Sequence, residues 1–533
     1  MTTDTAGKIS LGLERITDFL RYRLPRDPRL GLRVVHVAGT NGKGSVCALI
    51  SQALISAGYK TGTFNSPHFL EPNDAIRIQG VAIPASDYRD LRVWINNLDA
   101  KTASDHGRLS LFEQATAAAL WWFAESKVDV AVIEVGMGGL RDATNVFGVV
   151  EQGAAGGAFA GQSLVQCICA IDEDHVGMIG DTIEEIAQEK AGIIRPGSWV
   201  VLGTQGRSAA FHRVRQIAQK LSPARIVNLR RQPTHDMHVP HFAVKPEPPV
   251  AAAHPRLVSR PADEVPSWAA FNGTGRRCLR ARYPHSPDEQ GKRRGSHAAI
   301  ASPTPTTDVD LPLVLAGHYQ AANAGIAFYA LDVLRTHYDF DLLADAAIQV
   351  GFQNVRWPGR LAWLRLQPAG DSLAHWLLAD GAHNEPAAAE LRKYVDTALR
   401  RFAQQRHILA GTAARTLNEP PPVRWIVGFT RGKDVAAILR QLVCPADVVW
   451  AVPFAQPDEM PWITCCDPGD IAHQVSAAFP DTPVTEFVSP IAAVEQLRVE
   501  QSADYLTVLC GSLYLVADLY RTLDIRPFDS APV

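Results

Sequence analysis

Apolar residues in this chain gather into short continuous runs separated by longer amphipathic stretches. Leu11, Ile16 and Leu20 share one stripe, which predicts a short helix over 10–25. LRVVHVA (32–38), DVAVIEV (129–135) and VQCICAI (165–171) read as strands buried on both faces. Helical patterns lie at 45–58, 111–126 and 182–193. Near-continuous apolar strands alternating with helices predict a parallel sheet covered on both sides. Ligands of such sheets sit at the carboxyl ends of the strands, so the loops after Ala38, Val135 and Ile171 should converge.

The pattern then breaks. From about 204 to 310 the chain is crowded with Pro, Arg, His and Ser, and its periodicity fades after about 228. A structureless stretch that long is uncommon inside a compact domain, so 229–310 is expected to be a mobile insertion. A helix resumes at 318–336, and WPGR (357–360) marks a further break. HWLLADGA, a helix over 385–401, VRWIVGF, DVVWAVP and YLTVLCGSLYLVADLYRTL form a second α/β pattern. Two domains are expected, 1–350 with the insertion inside it and 351–533.

Composition narrows the class. Of 533 residues, 47% are hydrophobic and 20% charged, the balance of a water-soluble chain with a sizeable core. The 52 basic and 55 acidic side chains leave a net charge of −3, which gives no reason to expect nucleic acid or an anionic membrane. Eight cysteines, none in a C-x-x-C pair, are too few for a disulfide scaffold and suit a reducing compartment. The first twenty residues resemble neither a signal nor a transit peptide, and no run approaches the ~18 apolar residues of a membrane span. A cytoplasmic globular protein with small-molecule partners is expected.

The chemistry concentrates in three loops. Gly39, Thr40, Asn41, Gly42, Lys43, Gly44 and Ser45 lie between a strand and a helix. A glycine-rich turn exposes consecutive amides, and the helix start adds partial positive charge, so phosphate binds there. Lys43 can reach terminal phosphates and Ser45 a magnesium ion. The spacing is not a full Walker A, because Val37 stands where the first glycine belongs and Gly44 precedes Ser45. Glu134, Asp174 and His175 fall near the ends of neighbouring strands. With Ser66, after the strand-like TGTFN, they offer donors suited to a hard cation bridging ATP phosphates.

Taken in order, GTNGKGS, SPH (66–68), EVGMGG with DATN (134–145), DH with GDTIEEIAQEKAGI (174–194), WPGR, DGAHN (380–384) and GSLYL (511–515) resemble the folylpolyglutamate synthase/dihydrofolate synthase family. That family belongs to the Mur-ligase group of ATP-dependent amide-forming enzymes. Within it the chain is most similar to fungal dihydrofolate synthases, including EMPWITCCDPGDI at 459–471. The resemblance implies an α/β fold: a P-loop Mur-ligase-like ATPase domain with a parallel-rich sheet, then a smaller Rossmann-like domain, with ATP in the cleft. It implies that Ser66, Glu134 and His175 hold Mg²⁺, and that Asn323, Arg360, Asp380 and His383 face the nucleotide. Phe112, Glu113 and Asp142 match positions associated with the pterin substrate. Lys190 matches a lysine that can be carbamylated and then supports a second divalent ion. The activity implied is ligation of L-glutamate to 7,8-dihydropteroate through an acyl phosphate, by a monomer.

The chain departs from the family pattern at three places. Leu140 and Arg141 are exchanged, Ala75 stands where an arginine is usual, and 151–163 is an insert. Folylpolyglutamate synthase activity, alone or in a bifunctional enzyme, is the alternative; eukaryotic folylpolyglutamate synthases commonly carry Lys in place of Asn41 and keep the arginine absent at 75, which favours dihydrofolate synthase without excluding a bifunctional enzyme. A non-catalytic nucleotide-binding module would not need Lys43, Glu134, His175 and Asp380 together. His235, His238 and His241 are spaced like metal ligands but lie with a proline in the insertion, where no metal is expected. The basic residues of 276–294 read as a solvated arm, and Cys465 and Cys466 as non-redox.

Overall fold

The computed structural model describes residues 11–29, 31–101, 106–148, 161–174, 177–221, 225–229, 243–245, 277–284, 306–317, 319–366, 375–410, 422–500 and 505–529. The amino-terminal helix is split: α1 (Glu14–Asp18) runs into a wider helical turn at Phe19–Arg23.

Eight strands follow in the first sheet: β1 (Arg33–Ala38), β2 (Thr61–Phe64), β3 (Ile76–Ile78), β4 (Val81–Ala82), β5 (Val130–Glu134), β6 (Gln162–Ile168), β7 (Trp199–Leu202) and β8 (Arg225–Asn228). Their order is β4-β3-β2-β5-β1-β6-β7-β8, parallel from β2 to β8 with β3 and β4 antiparallel at one edge. Successive residues of β1 point to opposite faces. Val35 and Val37 pack beneath α2 (Lys43–Ser56), whereas Val34 packs toward α3 (Ala85–Lys101) and α4 (Leu111–Glu125). Further along that second face lie α5 (Ile183–Ala191) and α6 (Ser208–Lys220). On the first face, α7 (Tyr319–His337) and α8 (Asp345–Asn354) join α2. Both faces are therefore dry, which is why these strands read as unbroken apolar runs.

Two expectations need correction. The third strand ends at Ile168, not Ile171, because Cys169 to Ile171 leave the sheet to meet the loop after β1, with Ala170 bridging Asn41. The stretch 229–310 is not a structureless insertion throughout. Its described parts form β9 (Ala243–Lys245), β10 (Arg277–Pro284) and β11 (Thr306–Leu313), an antiparallel sheet in the order β11-β10-β9. Leu311 and Leu313 are buried in the first domain's core. The basic positions 277, 280 and 282 thus lie on a strand; the rest of the basic stretch and the three spaced histidines lie outside the described residues.

The second sheet contains β12 (Ala362–Leu366), β13 (His375–Ala379), β14 (Val423–Val427), β15 (Val448–Ala451), β16 (Val484–Glu486) and β17 (Leu506–Cys510). It runs β12-β13-β17-β14-β15-β16, parallel except for β12. Helices α9 (Glu385–Ala410), α10 (Val435–Leu442) and α11 (Pro468–Ala478) cover one face, and α12 (Pro490–Val499) with α13 (Leu513–Thr522) the other. The expected division at 350 falls inside α8, which packs so closely on α2 that a Cβ on Gly351 would meet the Ala53 backbone. The chain changes domain instead between Val355 and Leu361. Among the described residues no helix is long and apolar enough to cross a membrane.

Candidate active site

The carboxyl ends of β1, β5 and β6 face the second domain across a cavity of about 600 Å³. After Ala38 the chain turns through Gly39 and Gly42, with φ of +150° and +92°, and enters α2 at Lys43. L side chains rarely adopt either conformation. Space is also short: a Cβ on Gly39 would lie 2.6 Å from the Cys169 Cβ, and one on Gly44 would meet the Trp357 indole. The Thr40 and Asn41 amides donate to Ala170 O at 2.8 and 3.2 Å, tying the loop to the chain after β6. No side chain caps α2, so its first amides remain available to an anion.

Polar groups converge on this loop. Lys43 Nζ donates to Thr40 O at 3.3 Å and lies 4.0 Å from Glu134 Oε1. Glu134 ends β5 and is buried, which raises its pKa; Lys43, an Asn65 hydrogen bond and the Ser66 amide oppose that rise. Asn65 Nδ2 donates to Glu134 Oε2 at 2.7 Å. Ser66 lines the cavity beside them. Ser45 Oγ is buried and accepts from Gln320 Nε2 at 3.2 Å, while Asn323 donates to Gln320 Oε1 at 2.9 Å and lies against Gly42. Thus α7 braces the phosphate loop.

The second domain supplies the opposite wall. Asp380 accepts from the Leu361 amide through Oδ2 and the Ala382 amide through Oδ1, both at 2.8 Å. Burial raises its pKa against the pull of Arg360, which also lines the cavity. His383 Nδ1 lies 2.8 Å from Gly381 O. A carbonyl only accepts, so Nδ1 carries the proton, and burial lowers the pKa to about 4. The imidazole is neutral at pH 7. Lys433 reaches back to Asp174 Oδ1 at 3.5 Å. His175, expected as the third metal ligand, lies outside the described residues.

Other expected site residues stand behind the wall. Phe112 does line the cavity, 6.1 Å from Phe64 in a near-parallel stack. Glu113 instead closes a capping box with Ser110 at the start of α4 and pairs with Arg15 at 3.1 Å. Asp142 accepts from the Met137 and Thr144 amides at 2.8 and 3.0 Å, so it shapes the loop after β5 from within. Neither lines the cavity. Lys190 is buried rather than on a surface helix face, and its Nζ donates to Gly39 O at 3.1 Å from beneath the phosphate loop. Burial, then the charge of Lys43, lowers its pKa to about 7. The Leu140–Arg141 exchange turns Arg141 onto Glu189, Nε to Oε2 at 3.2 Å, and leaves Leu140 exposed.

Two residues that sequence reasoning missed, Tyr88 and Arg92, meet Glu459 of the EMPWITCCDPGDI stretch. Tyr88 Oη and Arg92 Nη2, on α3, both donate to Glu459 Oε2 at 3.0 Å, joining the domains. Tyr88 and Glu459 line the cavity, as do Leu111, Phe112, Met460 and Trp462. Among the described residues no three His, Cys, Asp or Glu side chains gather as a metal cluster. The oxygens of Glu134 and Ser66 beside the phosphate loop nevertheless fit a hard cation that takes its other ligands from phosphate and water.

Comparison with known proteins agrees with this arrangement. A family profile described as "Dihydrofolate synthetase, C-terminal domain" matches residues 362–522. A probable dihydrofolate synthetase of Schizosaccharomyces pombe is 29% identical over 518 residues, spanning 97% of this chain and 99% of that one. The dihydrofolate synthetase of Saccharomyces cerevisiae is 28% identical, spanning 96% and 98%. Among solved structures, a folylpolyglutamate synthase of Thermotoga maritima superposes with a TM-score of 0.65 at 25% identity, spanning 97% and 94%. With two α/β domains facing each other across a phosphate loop and a buried carboxylate, the chain is similar in sequence and fold to the folylpolyglutamate synthase/dihydrofolate synthase family.

Proposed function

We propose that the protein is an ATP-dependent dihydrofolate synthase, joining the α-amine of L-glutamate to the carboxylate of 7,8-dihydropteroate. The observation that carries this is one cavity lined by both a phosphate-binding turn and aromatic and apolar side chains. Lys43 and Glu134 face that turn, and Phe112, Met460 and Trp462 add apolar wall suited to a ring system.

A carboxylate is a poor electrophile, so it is first activated. Its oxygen attacks the γ-phosphorus of ATP in line, ADP leaves, and an acyl phosphate remains. Lys43 and the free amides of α2 offset the negative charge that moves onto the phosphoryl oxygens. Glu134 and Ser66, with His175, are the residues that would hold Mg²⁺, whose chemistry there is to neutralise phosphate charge. The glutamate amine then attacks the acyl carbon, phosphate leaves, and the amine proton passes to solvent or to a nearby acceptor. His383, neutral with Nδ1 engaged, presents its Nε2 lone pair as one such acceptor. Asp380 and His383 come from the second domain and Arg360 from the segment joining the domains, so domain closure completes the site and excludes water. We place Glu113 and Asp142 in the support of the pterin end, and Lys190 as a carbamate in the active enzyme.

The alternative is extension of an existing folate, as the name of the Thermotoga relative suggests. Ala75, on the cavity wall where an arginine is usual, favours the first reading. The deciding assay is ATP-dependent ligation of labelled glutamate to dihydropteroate and to tetrahydrofolate in parallel. Turnover with tetrahydrofolate alone would overturn the assignment.

A further inference from the structure

Glu134 is held from behind by a series of contacts that starts at the carboxyl-terminal tail. Asn65 gives its Nδ2 to Glu134 Oε2 at 2.7 Å, and its Oδ1 accepts from Arg77 Nη2. Arg77, on β3, is 5% exposed and also donates from Nη1 to Asp74 O at 2.5 Å. Its guanidinium carbon lies 4.4 Å from the centre of the Phe528 ring and 5.6 Å from that of Trp357. Phe528 returns from beyond α13 and is fixed by the Ala82 amide, which donates to Phe528 O at 3.0 Å. Trp357 belongs to the segment between the domains, and its indole abuts Gly44 of the phosphate loop. Three distant segments therefore meet on one guanidinium.

The direction of the hydrogen bonds matters. An amide can present either its oxygen or its NH₂ group to Glu134, and an oxygen there would repel the carboxylate. Arginine only donates, so Arg77 forces Asn65 to turn Oδ1 toward it and Nδ2 toward Glu134. We propose that Arg77 is a positioning residue for Glu134, set in place by the Phe528 ring, which commits Oε2 to Asn65 and leaves Oε1 toward the phosphate loop and its cation. This rests on the reading of Glu134 as a metal ligand. Groups that orient a ligand from behind typically change metal affinity by about 10–100-fold when lost.

The test is binding, not turnover: calorimetric titration of ADP into the full-length protein at a series of Mg²⁺ concentrations. Asn65→Ala should raise the Mg²⁺ needed for half-maximal ADP affinity about tenfold, and Phe528→Ala, which touches neither nucleotide nor metal, about threefold. The double variant should match Asn65→Ala alone, because both act on the same carboxylate. Arg526→Ala breaks the ion pair of the same tail to Glu71 at 2.6 Å but leaves the ring stack, and should shift nothing. A wild-type Mg²⁺ dependence in Phe528→Ala, full additivity in the double variant, or an equal shift in Arg526→Ala would each overturn the proposal. Glu134→Ala separates the two layers of argument. If it leaves Mg²⁺ dependence unchanged, the metal reading fails and takes the proposal with it. If it abolishes that dependence while Phe528→Ala does not move it, the positioning role alone fails.

Discussion

Lys43 Nζ stands 4.0 Å from Glu134 Oε1 across the floor of the cleft, with the two side chains 16% and 8% exposed. They come from neighbouring parallel strands and their loops, so the pairing of β1 with β5 sets their separation. Neither charge is idle in such a place. Burial works against the carboxylate, and the ammonium is the first group to oppose that.

Lys43→Ala should therefore abolish detectable ligation without unfolding the chain. Losing one preorganised contact to a transferring phosphoryl group costs about 10²–10³ in rate. Glu134→Gln keeps a partner for Asn65 yet removes the charge, so its activity should fall comparably and its Mg²⁺ requirement should rise. Steady-state rates at several Mg²⁺ concentrations check both; near-wild-type turnover at ordinary Mg²⁺ in either variant would contradict the site.

The insertion gives a stability prediction. Leu311 and Leu313 are buried in the first core although they adjoin a stretch that reads as solvated. Leu311→Ala should destabilise the protein by about 2–5 kcal/mol, as for other leucines truncated in a packed core. Chemical denaturation measures this, and a loss below about 1 kcal/mol would mean that β11 is peripheral to the fold.

The difference between these two sites says what a sequence displays. β1, β5, β13, β14, β15 and β17 were legible because burial leaves an unbroken apolar run, whereas β12 and the largely exposed β16 were not. The same signal misplaced the end of β6, since Cys169 and Ile171 stay dry after leaving the sheet; apolarity reports burial, not strand pairing. In β10 and β11 the alternation is diluted by arginines, aspartates and prolines. Glu113 carried a readable capping signal, Ser110 followed three residues later by a glutamate. Arg92 and Tyr88 had no signal, because their partner Glu459 lies 367 and 371 positions away. Their meaning exists only once the domains close.

That tie makes its own prediction. Arg92 Nη2 lies 3.0 Å from Oε2 of the cavity residue Glu459, which is about one-third exposed. A partly exposed pair adds little to stability, about 0–1 kcal/mol. Its loss should instead loosen the wall that receives the ring system. Arg92→Met should raise the KM for dihydropteroate severalfold, leave the KM for ATP within about twofold, and hardly move Tm. An equal rise in both KM values would point to a general loss of domain closure.

Lys190 offers a prediction in which pH decides. Its amine is buried beneath Gly39, and its pKa is lowered to about 7 from the ~10.4 of an exposed lysine. Between these values the unfolded chain holds a proton that the folded chain does not, so stability rises with pH across that window. Below about 7 both forms are charged, and the full cost of burying the charge is present. Lys190→Met should therefore raise Tm more at pH 6 than at pH 9. The same neutral amine is what a carbamate needs: its nitrogen attacks CO₂, a proton leaves, and the negative carboxylate that results suits a divalent cation where an ammonium would repel it. Activity should fall in CO₂-depleted buffer and return with bicarbonate, more completely at pH 8 than at pH 6.5. Lys190→Ala should be inactive and regain part of its rate with added acetate. Full activity in Lys190→Ala, or indifference to CO₂ throughout, would leave Lys190 with only its bond to Gly39 O, a prop beneath the phosphate loop.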